Sequence, residues 1–250
     1  MDLPIVIIVF VTVFLLILFF GKKTIIKRRL KKAELKRLLE FIDGDIAKIV
    51  GNVEFIGDGL IAPLSGRKCA YYYVHVEQQV SSGKSSHWKT IIEENVVDKF
   101  VIRDGVDYAY INDRNVKSYI VQDRNYKSGL FNDATQQLEN YLHIKGYESE
   151  NMLGLNKTLR YKEGVLEEGE EIAVFGKGEW KDVDSLNLPE KYRRVLEITS
   201  TNEEAIYLSD DPDTTKATAK MKSKKNTTNN YKQNDNRYFQ KTTDKRFYQK

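Results

Sequence analysis

The chain has 250 residues, 40 of them basic and 36 acidic, a net charge of +4, and a single cysteine. That cysteine count excludes an internal disulfide, and with only three histidines it excludes a pair of tetrahedral zinc ions held by Cys and His alone. The charge is segregated, with 9 basic against 3 acidic residues in 1–42, 20 against 30 in 43–212 and 11 against 3 in 213–250.

An apolar run from Leu3 to Phe20, broken only by Pro4 and Thr12, precedes nine lysines and arginines between Lys22 and Arg37. Eighteen helical residues span about 27 Å, close to a hydrocarbon core about 30 Å thick, so residues 1–21 read as a transmembrane anchor. A cleaved signal needs basic residues before the run and small ones after it; here only Met1 and Asp2 precede, and Phe19, Phe20, Gly21 and Lys22 sit at its end. The basic step predicts a single-pass topology with the N-terminus outside and the body cytoplasmic, at a bacterial inner membrane or an organelle membrane. A lone cysteine fits such a reducing compartment.

Residues 22–42 place Ile26, Leu30, Leu35, Leu38, Leu39 and Ile42 close to helical spacing, predicting a basic juxtamembrane helix. Its role divides between a stem that senses anionic lipid head groups, worth about 1 kcal/mol per basic residue near the surface, and a flank that packs its apolar stripe on the body. The acidic body is expected to stand off the bilayer.

The body, 43–211, predicts a mainly β (α+β) domain of antiparallel strands. Residues 69–79 alternate, with Ala70, Tyr72, Val74 and Val76 on one face and Cys69, Tyr71, Tyr73, His75 and Glu77 on the other. A polar loop at 81–86 leads to a hairpin partner at 88–93, and Asp104-Gly105 joins strands at 100–103 and 107–112. Further strands are predicted at 160–165, 171–177, 195–200 and 206–208, with a turn at Glu168-Gly169. Asp133 and Gln136 have capping-box spacing ahead of Leu138, Tyr141 and Leu142, and Gly146 can end that inserted helix, which is expected to pack across the sheet. The two hairpin-rich halves, 53–112 and 160–209, are compatible with two small barrels. Residues 212–250 are rich in Lys, Asn, Thr and Gln and predict a basic disordered tail.

Motifs for zinc, phosphate cradles and nucleophile elbows are absent from the sequence. The spacing of His75, His87, His143 and Cys69 fits no metal-ligand pattern, so no metal or cofactor is expected. Cys69 beside Arg67 and Lys68 has an electropositive setting, yet a lone strand cysteine is more often a packing residue.

The most specific local pattern is Pro63-Leu64-Ser65-Gly66-Arg67-Lys68-Cys69-Ala70-Tyr71-Tyr72-Tyr73, followed in order by Trp88, the 100–105 segment and Glu163-Gly164-Val165-Leu166-Glu167-Glu168-Gly169-Glu170. Over residues 44–208 this resembles the GIDE, or beside-a-membrane, domain family (MULAN-like), in a prokaryotic-type form. The resemblance implies a membrane-linked β module that binds partner proteins; in the eukaryotic relatives ubiquitin ligase activity resides in a separate C-terminal RING, beyond a second transmembrane helix. No RING ligand set or second apolar span follows the body here, so ligase activity is not expected. Pro63, Leu64, Ser65, Gly66, Cys69, Tyr72, Trp88, Gly164, Gly169 and Glu170 are the motif positions, read as structural: Pro63 fixes φ and Ser65-Gly66 turns the chain into the strand.

Against that structural reading stands a functional one, in which Arg67, Tyr71, Tyr73 and His75 form part of a partner-binding surface. The leading expectation is therefore a membrane-anchored binding or scaffold module without catalysis. The alternatives are a membrane-tethered enzyme using His75 or Cys69, and a weak nucleic-acid binder acting through the basic tail, which the acidic body disfavours.

Overall fold

In the computed structural model, residues 21–129, 134–150 and 156–216 are described. The predicted anchor, most of the predicted tail and the capping position Asp133 lie outside them. Among the described residues no helix is long and apolar enough to cross a membrane.

The chain begins with α1 (Lys22–Lys32) and a 3-10 turn (Leu38–Glu40). It then runs through β1 (Ile46–Phe55), β2 (Leu60–Ile61), β3 (Lys68–Cys69), β4 (Tyr71–Ser82), β5 (Ser85–Val97), β6 (Phe100–Asp104), β7 (Asp107–Ile111), β8 (Val116–Tyr119) and β9 (Arg124–Ser128). After α2 (Gln136–Ile144) come β10 (Leu159–Leu166), β11 (Glu171–Asp182), β12 (Arg194–Thr199), β13 (Ile206–Ser209) and a helical turn, Pro212–Thr215.

The protein is mainly β, and its strands close into one barrel rather than two. The order β1-β6-β7-β12-β11 is closed by a β1–β11 pairing, with β13 and β8 extending from β11. Every pairing in the ring is antiparallel except β7 with β12. The two halves of the sequence share this ring, because β1, β6 and β7 come from the first and β11 and β12 from the second. Burying both on one inner face gives a single larger core, lined by Ile49, Val53, Ile102, Ile172, Val174, Leu196 and Ile198. The remaining long strands form a separate antiparallel sheet, β5-β4-β10-β9.

The predicted helix over 22–42 stops at Lys32. Ala33 leaves the helix at φ −64° and ψ 142°, and the next residues are extended because they pair with β1: Lys48 donates N–H to Glu34 O (2.7 Å) and Lys36 to Lys48 O (2.9 Å). Only the first half of the apolar stripe is used helically. Ile26 and Leu30 pack on Ala173, Phe175 and Tyr207, whereas Leu38 and Phe41 enter the barrel core and leave Leu39 and Ile42 exposed. The collar cations turn to the body's carboxylates: Lys27 to Asp211 (2.8 Å), Lys31 to Asp213 (3.1 Å), Lys36 to Asp45 (2.7 Å), Arg37 to Asp104 (2.8 Å), and Arg29 to Glu204. Packing on the body is thus the role the structure describes for this segment.

The first residues of the predicted tail are ordered with the body. Pro212–Thr215 belongs to the body: Asp211 Oδ1 accepts the Asp213 N–H (3.0 Å), Thr214 is buried, and the ammonium of buried Lys48 donates to Thr214 O (2.9 Å). The expected loop at 81–86 is instead a two-residue turn, Gly83-Lys84, with Ser82 paired to Ser85. The 104–107 hairpin has the same form, turning at Gly105-Val106. β1, β2, β8 and β9 have no counterpart among the predicted strands.

α2 lies across the four-stranded sheet as expected, its Leu138, Tyr141 and Leu142 packed on Val74, Val76, Leu159 and Tyr161. Its cap is Thr135, whose side chain accepts the Leu138 N–H. It ends in a Schellman arrangement, with Tyr147 N–H donating to Leu142 O (2.9 Å) and Gly146 N–H to His143 O (3.0 Å), while Gly146 takes φ +78°.

Candidate functional site

The two motif segments meet at β10. Arg67 bridges them, with Nη1 on Glu167 Oε2 (3.0 Å) and Nη2 on Asp123 Oδ2 (2.6 Å). Beside it, Glu163 Oε1 accepts the Leu64 N–H (2.8 Å) and the Ala70 N–H donates to Leu166 O (2.8 Å). Pro63, Leu64, Ser65 and Gly66 make the turn above this seam, which closes through Gly66 N–H on Ala62 O (2.9 Å), and Gly66 takes φ +71°.

Gly164 is fixed by packing: a Cβ there would stand 2.6 Å from Val121 O. Gly169 turns the chain at φ +84°, and Glu170 Oε2 accepts the Glu167 N–H (2.8 Å). These positions join the two sheets, and Arg67 is held in that joint by its two carboxylates.

Cys69 is fully buried, and burial first, then Glu163, pushes its thiol up to about 11. Neither access nor ionisation suits a nucleophile. Tyr71 belongs to the barrel core, its hydroxyl 2.9 Å from Ser118 Oγ. Tyr72 faces α2 and reaches Glu94, which also accepts from Tyr141 (2.6 Å).

Tyr73 and His75 lead out from that core onto the face of the four-stranded sheet opposite α2. The register places His75 between Glu93 and Lys162, and Glu77 between Thr90 and Arg160. Tyr73 donates its hydroxyl to Glu93 (3.1 Å), and His75 Nε2 lies 3.1 Å from Thr90 Oγ1. Arg160 grips Glu77 with both arms of its guanidinium and lies over the Trp88 ring, 4.3 Å from its centroid. The Arg160 hydrogen bond, opposed by burial, holds the Glu77 carboxyl below its ordinary range.

The result is a half-exposed patch of aromatic rings and ordered charge, with side chains locked by one another. Of the four residues expected to form a surface, Tyr73 and His75 are on it; Arg67 and Tyr71 are not. Glu77 follows from the alternation of β4, whereas Arg160 and Lys162 were missed. Their signal was parity along β10: with Tyr161 buried, its neighbours Arg160 and Lys162 must point the other way.

Among the described residues no group of three or more His, Cys, Asp or Glu is placed to hold a metal ion. Comparison with protein-family models, with curated proteins and with solved structures gives no match.

Proposed function

We propose that this chain is a single-pass membrane protein that displays a GIDE-type module at the cytoplasmic face and binds a partner protein there, without ligase activity of its own. The observation that carries this reading is the Tyr73–His75–Trp88–Arg160 patch. Interface centres favour Tyr, Trp and Arg whose rotamers are fixed before binding, because little side-chain entropy is then lost on association. The run Leu3 to Phe20 supplies the span, and the basic step after it the orientation. The motif order shared with the family supports a beside-a-membrane setting.

The test is proximity labelling from the full-length chain, compared with a Trp88→Ala, Arg160→Ala double variant of equal abundance. Loss of a defined set of labelled proteins in the variant is expected. Identical neighbours from both chains would remove the patch as a binding surface.

A further inference from the structure

A cleft adjoins the Tyr73 end of that patch, where Asp98 and Lys99 carry the chain from the four-stranded sheet into the barrel; Asn95, the cross-strand partner of Tyr73, lines it. The sheets diverge there and leave a cleft of about 430 Å³, within the range of small-molecule sites. Its floor is apolar and aromatic: Phe100, Tyr110 and Leu208 are buried there, and the Tyr71–Ser118 hydroxyl pair gives one polar spot. Burial raises the Tyr71 and Tyr110 hydroxyls above their ordinary range, so the floor stays uncharged. Val97 at the mouth is 61% exposed, an apolar side chain left facing solvent.

The rim holds two cations and two carboxylates, and they are not equivalent. Asp113 is turned into its own loop, with Oδ1 accepting the Asn115 N–H (2.8 Å) and Oδ2 accepting Ser200 N–H (2.7 Å) and Oγ–H (2.6 Å). Asp98 Oδ1 accepts the Lys99 N–H (2.8 Å). Among the described residues the Lys99 and Arg114 side chains, by contrast, have no hydrogen-bond or ion-pair partner. The rim is neutral in sum, two carboxylates against two cations, but its cations are uncommitted, and an apolar trough with such a lip can take a molecule with an apolar body and one anionic group.

We propose that this cleft binds a small amphipathic anion, its apolar part against Phe100, Tyr110 and Leu208 and its charged group between Lys99 and Arg114. Such chemistry could be drawn from the bilayer as an acyl carboxylate, or from solution as an aromatic anion.

The test titrates dodecanoate and, separately, naphthalene-2-sulfonate into the full-length chain in zwitterionic-lipid nanodiscs by calorimetry, with empty nanodiscs subtracted. Saturable binding of at least one probe is expected, and the tighter probe identifies the source. A Lys99→Glu, Arg114→Glu variant should weaken that probe about tenfold while leaving neutral naphthalene-2-methanol unchanged. Val116→Trp, which fills the cleft from β8, should abolish binding of both probes. The charge variant alters exposed side chains only, so its result does not depend on repacking of the core. Absence of saturable binding, equal affinity in all three proteins, or an equal loss for the neutral and anionic probes would overturn the proposal.

Discussion

Asp210 carries the largest electrostatic tension at the joint between the two sheets. Its Oδ1 accepts the Val121 N–H (2.8 Å), the segment against which Gly164 packs. Burial pushes its carboxyl up to about 7, the Val121 hydrogen bond opposes this, and Glu170 and Asp123 add to the rise. A carboxyl raised in the folded state favours folding most when it is protonated in both states, below about pH 4; that contribution is lost as pH rises toward 7. Stability should therefore fall across pH 4 to 7 on account of this one group. Asp210→Asn keeps an acceptor for Val121 and removes the charge. It should flatten that slope and raise stability at pH 8 on the order of 1–3 kcal/mol, measured by urea unfolding at a series of pH values. An unchanged pH slope in the variant would show that Asp210 is ionised at no cost.

At the scale of elements, what was legible in the sequence was a sustained period or a β-rich run bounded by a turn. The first half of β4 alternates and α2 repeats at helical spacing, while β10 and β11 carry runs buried on both faces and were recognised from the turn at Glu168-Gly169 between them; β4, β5, β10, β11 and α2 all lie within about five residues of their expected places. The stretch 22–42 was misread because Leu35, Leu38 and Ile42 continue a helical spacing while the backbone has already turned to pair with β1. A tertiary partner, invisible in a local pattern, overrides the period there. β1 escaped notice because Lys48 is buried mid-strand and Gly51 interrupts its alternation. The candidate patch was half legible for a related reason: alternation along β4 identifies Tyr73 and His75, but only the pairing register brings Arg160 and Trp88 to them.

The docking of α1 yields a prediction at this same scale. Two apolar side chains, Ile26 and Leu30, hold it together with one largely covered ion pair, Lys27 to Asp211, and more exposed ones at Glu204 and Asp213 that contribute little each. Ile26→Asp should release α1 without unfolding the barrel, since burying an unpaired carboxylate costs more than the helix gains from its remaining contacts. Hydrogen exchange should show protection lost over 22–32 and retained in β11 and β12. Loss in both regions would make α1 part of the barrel's folding unit instead.

For the whole molecule, the proposed anchor implies a short connection between membrane and module. With residues 3–20 in the bilayer as proposed, α1 begins immediately after Gly21 and is packed against the barrel. The collar's ion pairs with Glu204, Asp211 and Asp213 place part of its charge on the body, which lessens the mismatch between a basic stem and an acidic domain. Under that proposal the short connection limits how far the charge of the acidic body can carry it from the bilayer. Six Gly/Ser residues inserted between Gly21 and Lys22 add a flexible tether with a reach of about 13 Å. Energy transfer from a fluorophore on Lys84→Cys, at the tip of the β4–β5 hairpin, to labelled lipid head groups should fall and its distance distribution broaden, while unfolding of the domain is unchanged. An unaltered transfer efficiency would mean that the module touches the bilayer through its own surface, so that the stem does not set its position.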